Sequence, residues 1–325
     1  MKLDFYASQP HYLDHMKPIW DNLNSKFKGK FIITENIEEY AKLLKLNYCI
    51  EEPREVITLV SSYGDYKNTK KEVIFMEHGI GFTFSNNHPS YAGGKGKDRV
   101  VLFLNQHTIT QIKNQKAYPL SKQEIIGVPK TDQYINLIPV PKDKPTICLS
   151  FHWNCKVSPE TTSAFSHYAS VIPKLNKNKE FNLVFHGHPH DNKKWEKYCT
   201  KNNIKRIKTF DEVIKTADVY VADATSTSYE FAVTGKPVII LNAPWYRKNI
   251  HHGIRFWDYI PGPQVDDPKR LELMMLRAVR NPRQWDYIRE PVIDKLYPYF
   301  GESAKRAATV IENFLINQEE TTLEK

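Results

Sequence analysis

The chain alternates short apolar runs with amphipathic stretches along most of its 325 residues. In the first half, apolar runs of strand length occupy residues 3–6, 31–34, 56–61, 73–76, 100–104 and 125–128. Residues 37–46 carry apolar side chains at helical spacing instead. Strands that alternate with helices are typical of a doubly wound α/β sheet, so the first half is predicted to be Rossmann-like.

The same alternation resumes after a segment at 139–145 that contains three prolines, a composition typical of a semi-rigid linker. We place the boundary there, with an N-terminal domain at 1–140 and a C-terminal domain at 141–325. The second domain is predicted to have strands at 146–151, 182–185, near 207, 219–222 and 237–241. Helices are predicted at 159–175, 193–200, 211–217, 228–234 and 301–315.

Composition narrows the class of protein. The hydrophobic content of 41% can furnish two cores, and no apolar run approaches the roughly 20 residues of a membrane-spanning helix. Four cysteines without Cys-x-x-Cys spacing indicate reduced thiols and a cytoplasmic location. The net charge of +9 favours an anionic partner, which can be nucleic acid, a polyphosphate acceptor or the inner face of an anionic membrane touched peripherally. A surface charge that only keeps the protein soluble is the alternative.

Four consecutive hydroxyl residues follow the predicted strand 219–222. They are Thr225, Ser226, Thr227 and Ser228, and they stand at the start of the next predicted helix. One hydroxyl suffices as an N-cap, and a helix start favours negative charge, so the turn is predicted to seat a phosphate. A Ser/Thr-rich polar loop is the alternative. Glu230 can reach the hydroxyls of a ribose, or it is a solvated helix residue.

This segment resembles the signature of the CDP-glycerol glycerophosphotransferase family, which comprises teichoic acid polymerases and primases. The resemblance rests on Asp223, the hydroxyls at 226–228, Glu230 and the pair Lys236-Pro237. It implies a glycosyltransferase-B fold, with two Rossmann-like domains, a cleft between them and a C-terminal helix that crosses back. The family's Asp-Tyr-Ser-Ser is Asp-Ala-Thr-Ser-Thr-Ser here, which leaves the alignment inside the turn open by a residue or two.

His78 stands two residues after the predicted strand 73–76, and Gly79 and Gly81 follow it. Ligands of open α/β sheets bind beyond the carboxyl ends of the strands, and glycines let a backbone approach them closely. An imidazole can accept a proton from a hydroxyl at neutral pH, although a lone histidine in a turn is often structural. The resembling family carries His-Gly at the matching strand end, which implies that His78 is the general base.

A glycine- and lysine-rich segment at 91–98 lacks the spacing of a phosphate-binding P-loop. Its Lys95 and Lys97 are predicted to belong to a basic loop that reaches an anionic acceptor. A plain surface turn is the alternative.

Histidines at 186, 188 and 190 stand at another predicted strand end. Alternate residues share one face of an extended chain, which invites a metal site, but no neighbouring set of Asp, Glu or Cys completes it. No metal is therefore predicted. His188-Pro189 resembles the family's His-Pro, whose histidine contacts the donor's phosphates, and His186 replaces an arginine that the family often has. Histidines bonded to backbone groups are the structural alternative.

Two further residues are candidates for contact with the donor. The resemblance implies that apolar and backbone groups around Phe210 lie against the nucleotide base. Arg247, in an aromatic-rich segment, can grip a phosphate in bidentate fashion, as can Arg255. Packing of arginine and aromatic side chains at a domain interface is an equally good interpretation.

The leading hypothesis is a cofactor-free, metal-independent transferase. A nucleotide-activated donor (CDP-glycerol, CDP-ribitol or a UDP-sugar) is its substrate, and a teichoic-acid-like polymer is its acceptor. Attack falls on a phosphorus atom or, with a sugar nucleotide, on an anomeric carbon. The enzymatic alternative is a phage-type DNA glycosyltransferase that acts on hydroxylated bases of duplex DNA, since positive charge neutralises backbone phosphates. A non-catalytic module that binds nucleotide sugars or polyanions is the third hypothesis. The sequence does not indicate the oligomeric state.

Overall fold

The computed structural model describes residues 1–53, 55, 57–69, 72–78, 80, 98–105, 122–135, 137, 142–156, 158–248 and 255–323. The chain divides into two units. Unit 1 comprises Met1–Ile80, Asn87–Ile135 and Leu296–Lys325, and unit 2 comprises Gly81–Asn86 and Asn136–Lys295. This division differs from the predicted domains mainly at the C-terminus, because the last thirty residues belong to unit 1.

Unit 1 is built on a six-stranded parallel sheet with the order β2-β1-β3-β4-β5-β6. Its strands are β1 (Leu3–Ala7), β2 (Lys28–Ile33), β3 (Ile57–Val60), β4 (Glu72–Met76), β5 (Asp98–Phe103) and β6 (Lys122–Ile125). This is the flavodoxin-like order of doubly wound sheets, in which the direction of winding changes between β1 and β3. Ligands of such sheets bind at the carboxyl edge near that switch point.

The helices of unit 1 are α1 (Pro10–Asn22), α2 (Glu38–Leu43), α3 (Tyr63–Asn68) and the C-terminal helix (Ser303–Leu323). Leu13 and Ile19 of α1 share a buried cluster with Ile311 and Leu315 of the C-terminal helix. Burying one such side chain contributes about 1.5–3 kcal/mol relative to leaving it exposed. The last helix therefore completes the core of unit 1, in agreement with the expected crossing back.

A short segment after β6 anchors the start of the C-terminal helix. Asp132, in the 3₁₀ turn Pro129–Tyr134, accepts hydrogen bonds from the backbone N–H groups of Gly301 (3.0 Å) and Ala304 (2.7 Å). Gly127 has a φ of +83°, and a Cβ there would lie 2.4 Å from the Pro298 carbonyl oxygen. Only glycine fits this position, so the helix approaches the segment closely.

Unit 2 is built on a second six-stranded parallel sheet, with the order β12-β11-β10-β7-β8-β9. Its strands are β7 (Thr146–Phe151), β8 (Asn182–Gly187), β9 (Lys205–Arg206), β10 (Val219–Ala222), β11 (Val238–Leu241) and β12 (Gln264–Val265). Counted from β7, the order is 3-2-1-4-5-6, which is that of dinucleotide-binding Rossmann sheets. The switch point of unit 2 lies between β7 and β10.

The helices of unit 2 are α4 (Phe165–Tyr168), α5 (Ile172–Leu175), α6 (Asn192–Asn202), α7 (Phe210–Thr216), α8 (Thr227–Ala232), α9 (Leu271–Arg280) and α10 (Asp286–Leu296). Gly235, where we predicted the end of α8, has a φ of +75°. The predicted α/β class with two Rossmann-like sheets is confirmed. Among the helices of the described ranges, none combines the length and the apolar character needed to cross a membrane.

Two predicted elements are wrong. The helix expected at 159–175 is divided into a 3₁₀ turn (Pro159–Thr161), α4 and α5, because Asp223 binds the Ala164 N–H and so fixes a turn there. The strand expected at 125–128 ends at Ile125, since the following residues leave the sheet to meet the C-terminal helix. The sequence pattern did not predict α1, α3, α9, α10 or β12.

Replacing Asp132 by alanine is expected to lower the free energy of unfolding by about 1–3 kcal/mol, because two backbone N–H groups lose their acceptor and the helix start loses its cap. Denaturant unfolding followed by circular dichroism measures this. Asp143→Ala, at an exposed position near the start of unit 2, is the matched control and should change stability by less than about 0.5 kcal/mol. Equal stability of the two variants would contradict the anchoring role.

Candidate functional site

The buried carboxylate of Asp223 organises the switch point of unit 2. Asp223 directly follows β10, and its Oδ1 accepts a hydrogen bond from the backbone N–H of His152, which follows β7 (2.8 Å). Its Oδ2 accepts hydrogen bonds from the Ala164 N–H (3.0 Å) and the Ser163 hydroxyl (3.4 Å). Burial raises the pKa of Asp223, although nearby His152 and these hydrogen bonds oppose the rise. Asp223 thus fixes the backbone of two loops at the carboxyl edge.

An aromatic surface lies at the ends of β7 and β8. The ring of His152 is centred 5.3 Å from that of His188, and the ring of His190 lies 4.8 Å from Trp153 and 4.9 Å from His188. His190 is exposed, and the other three are partly buried. We call these four residues the aromatic surface. Our reading of the sequence missed His152 and Trp153, although they follow an apolar run just as His188 does.

The hydroxyl turn adjoins Asp223 in sequence and forms the start of α8. Ser226 and Thr227 are partly exposed, whereas Thr225 and Ser228 are buried. Thr227 Oγ1 shares hydrogen bonds with the Tyr220 hydroxyl (2.8 Å) and with Thr225 Oγ1 (3.1 Å). The Oγ of Ser228 is buried and has no hydrogen-bond partner among the described residues. The four hydroxyl residues thus differ in exposure, and Ser226 and Thr227 are the two that reach the surface.

Three other residues predicted to contact the donor lie inside unit 2. His186 is 6% exposed, and its Nδ1 donates to the Ile207 carbonyl oxygen (3.2 Å). Phe210 packs its ring 6.0 Å from that of His186 and 5.9 Å from that of Tyr220. Glu230 is 2% exposed. Their contacts in this structure are internal, and their roles towards a donor stay predictions.

Arg247 forms an ion pair with Glu160, whose side chain is fully buried. Its Nε and Nη2 donate to the two carboxylate oxygens (2.7 and 2.9 Å), and its backbone N–H donates to Oε1 (2.8 Å). Burial alone would raise the pKa of Glu160, but the hydrogen bonds from Arg247 outweigh it and lower that pKa. The guanidinium is half exposed, so it neutralises a buried charge while it keeps one face at the surface.

In unit 1, His78 lies beside α1 at the carboxyl end of β4. Its ring is centred 4.9 Å from that of Tyr12, in an edge-to-face arrangement, and 6.3 and 6.4 Å from the rings of His11 and His15. We call these four residues the histidine cluster. Sequence reasoning identified His78 but missed its three partners on α1, because α1 was not predicted.

The imidazole of His78 is held in its neutral form. Burial lowers the pKa of His78 to about 4, with a further lowering by Lys130 and an opposing contribution from a hydrogen bond with the Ser61 backbone. Burial, then Lys130 and the two other histidines, also lower the pKa of His15 well below its usual value. A neutral imidazole can accept a proton at pH 7, but so low a pKa makes His78 a weaker base in this structure than an ordinary histidine.

Four of the predicted acceptor-side residues, Gly79, Gly81, Lys95 and Lys97, lie outside the described residues, and so does the rest of the segment 81–97. Within the described ranges, no group of three or more His, Cys, Asp or Glu side chains is placed to hold a metal ion. All four cysteines are free thiols.

Two parallel Rossmann-like sheets in one chain are the architecture of the glycosyltransferase-B fold. Residues 160–313 match the model of a family described as CDP-Glycerol:Poly(glycerophosphate) glycerophosphotransferase. The match includes Asp223, the hydroxyl turn and Arg247. The resemblance inferred from the sequence is therefore confirmed, and the match supports a transferase. None of the curated proteins matches the chain.

Solved structures agree on the fold. The wall teichoic acid polymerase TagF is similar over 98% of this chain and 90% of its own, with a TM-score of 0.67 and 12% identity. S. aureus MnaA in complex with UDP covers 97% of both chains with a TM-score of 0.64 and 12% identity. UDP-GlcNAc 2-epimerase from Neisseria meningitidis covers 98% of this chain and 100% of its own, with a TM-score of 0.59 and 13% identity. At such identities the similarity shows the fold alone.

Arg247→Met is expected to lower the free energy of unfolding by about 1–3 kcal/mol, because it leaves the buried carboxylate of Glu160 without its charged donor. Adding Glu160→Gln should recover much of the loss. Arg280→Met, which breaks an exposed pair with Glu180, is the control and should cost under about 1 kcal/mol. Unchanged stability of Arg247→Met together with weakened donor binding would favour the predicted donor contact instead.

Proposed function

We propose that the protein transfers glycerophosphate from CDP-glycerol to a hydroxyl group of an anionic, teichoic-acid-like acceptor. The observation that carries this proposal is the family match, whose description names the reaction and whose residues 160–313 include Asp223 and the hydroxyl turn on the β10 side of the switch point. One TagF structure was obtained with CDPG soaked into the crystal, which suits the same donor. The net charge of +9 suits a polyanionic acceptor.

Unit 2 is the donor-binding part in this proposal. The partly exposed hydroxyls of Ser226 and Thr227, at the start of α8, bind the donor's phosphates together with His188. Asp223 contributes by position, since it holds the His152 and Ala164 backbone without reaching the surface. The aromatic surface, with Trp153 as its largest ring, lies at the carboxyl ends of β7 and β8, where ligands of such sheets bind.

Unit 1 supplies the general base. His78 takes the proton of the acceptor hydroxyl, while the acceptor oxygen bonds to the phosphorus that carries the glycerol. The bond between this phosphorus and the bridging oxygen of the pyrophosphate breaks, and CMP leaves with that electron pair. The proposal requires no metal and no cofactor, and its chemistry consists of positioning, charge stabilisation and one proton transfer.

His78→Gln is expected to reduce turnover about 10²–10⁴-fold, because glutamine cannot accept the proton, while the affinity for CDP-glycerol stays within about twofold. CMP release measures turnover, and calorimetry measures donor binding. His167→Gln is the matched control, since this partly exposed histidine bonds to the Asp266 carbonyl and has no assigned role in the reaction.

Near-normal turnover of His78→Gln would remove the base assignment. The same assay, run with a UDP-sugar and duplex DNA that contains hydroxylated bases, tests the alternative. Transfer to DNA without any transfer to a glycerophosphate acceptor would replace the proposed substrate pair.

The low pKa of His78 has a measurable consequence for the pH dependence. A base with a pKa of about 4 is deprotonated above that pH, so kcat/KM should stay constant from pH 7 down to about 5 and fall only as the pH drops towards 4. Initial rates of CMP release between pH 4 and 8 test this, with circular dichroism at each pH as the control for unfolding. A decline centred near pH 6.5, the value of an ordinary histidine, would contradict it.

A further inference from the structure

Much of the positive charge of the chain is concentrated in one short stretch of unit 2. Residues 192–208 contain seven Lys and Arg side chains and one carboxylate, so they carry six of the nine net positive charges of the whole protein. They comprise α6, β9 and the residues that join and follow these two elements. Charges of one sign repel each other at this density, so the stretch is typical of a surface that meets a polyanion.

The carboxylates at this stretch are neutralised by their own neighbours. Arg206, on β9, donates to Glu196 Oε2 (2.8 Å) and to the carbonyl oxygen of Asn192 at the start of α6 (3.3 Å). Asp191, just before the helix, lies 3.6 Å from the Nζ of Lys194. Five exposed lysines remain, and none of them has an ion-pair partner in the part of the chain that the structure describes: Lys193, Lys197, Lys201, Lys205 and Lys208. We call these five residues the basic surface.

The basic surface starts at the carboxyl edge of the sheet and leads away from it along α6. Residues four apart lie on one face of a helix, so Lys193, Lys197 and Lys201 form a row with about 6 Å of helix between successive positions. Trp195 and Cys199 bury another face of α6. Because α6 begins just after β8 ends, the row begins close to the aromatic surface, at the edge where ligands of such sheets bind.

The chemistry of this surface favours a flexible phosphodiester chain over a membrane or a nucleic acid. Helices that dock on membranes insert large apolar side chains beside their cations, but none of the large hydrophobic residues that are exposed in the described ranges lies within 192–208. Proteins that bind single-stranded nucleic acid stack the bases on exposed aromatic rings. Here Trp195 is fully buried, and the ring of Tyr198 packs edge-to-face on that of Phe165 at 4.8 Å.

We propose that the basic surface holds the already formed part of a poly(glycerophosphate) acceptor, whose reactive end lies at the carboxyl edge of unit 2. The inference rests on the proposed function for the identity of the polymer. Each phosphate that a lysine neutralises releases a counterion, so the surface strengthens the binding of long acceptors without touching the reacting atoms. An acceptor with a single phosphate is too short to gain from the row.

The test uses the triple variant Lys193→Gln/Lys197→Gln/Lys201→Gln, which removes the row but keeps residues that favour a helix. Its affinity for a long glycerophosphate oligomer should fall roughly 10–100-fold at low salt, and the slope of log affinity against log salt should decrease by about 2. Fluorescence anisotropy of a labelled oligomer measures both without any donor. In the transfer assay, KM for the long oligomer should rise by a similar factor, while kcat, KM for a single-phosphate acceptor and the affinity for CDP-glycerol stay within about twofold.

The matched control removes the same charge elsewhere. Lys26→Gln/Lys45→Gln/Lys269→Gln changes three exposed positions outside 192–208 and should leave binding of the long oligomer nearly unchanged. An equal loss in this control would mean that only the net charge attracts the oligomer, and it would overturn the inference. Lys205→Gln/Lys208→Gln leaves α6 intact and should weaken binding in the same direction, which provides a second measurement if the triple variant fails to fold.

Three further outcomes are decisive. Unchanged oligomer binding in the variants of the basic surface overturns the inference. A lysine-dependent affinity for duplex DNA, or for phosphatidylglycerol vesicles, that exceeds the affinity for an oligomer with the same number of phosphates overturns it as well, because the occupant would then be different. Lysine-dependent binding of the oligomer without any glycerophosphate transfer would instead refute the proposed function and leave the polymer-binding surface established.

Discussion

One buried carboxylate holds the carboxyl edge of unit 2 together. Asp223 accepts hydrogen bonds from the His152 and Ala164 backbone and from the Ser163 hydroxyl, and thereby fixes the loops that follow β7 and lead into α4. Each backbone N–H left unpaired in such a place would cost about 1–3 kcal/mol. The aromatic surface and the hydroxyl turn occupy the same edge, so the backbone that carries the candidate site depends on this anchor.

The edge of unit 1 is stabilised differently. The rings of the histidine cluster and the ammonium group of Lys130 lie in a largely buried region, where few of these groups can carry a charge. Burial and Lys130 keep the imidazole of His78 neutral, and both depend on α1 and the C-terminal helix remaining in place. Desolvation therefore has two effects on a base: it keeps the imidazole unprotonated over a wide pH range, and it lowers the affinity of that imidazole for a proton.

Most strands could be predicted from the sequence because both faces of a parallel sheet are covered, which makes each buried strand a short apolar run. His78, His188 and Asp223 were identifiable for a related reason, since the residues after such runs lie at the edge where ligands bind. The same argument applied to 146–151 would have identified His152 and Trp153.

Other features depend on contacts between residues that are distant in sequence. The break in the helix predicted at 159–175 is caused by Asp223, which lies about sixty residues further along the chain. The partners of His78 lie on α1, and Lys130, which lowers its pKa, comes from the turn that docks the last helix. Such tertiary contacts leave no periodic signal in the local sequence, so they can be identified only from the three-dimensional structure.

The place of the C-terminal helix in unit 1 bears on how the chain is made. A ribosome releases nearly all of unit 2 before it releases residues 296–325, which unit 1 needs to cover Leu13 and Ile19 of α1. The unit that begins first therefore finishes last. Until residues 296–325 have emerged, the nascent chain exposes the apolar side chains of α1 that this segment covers, which is the kind of surface that molecular chaperones protect.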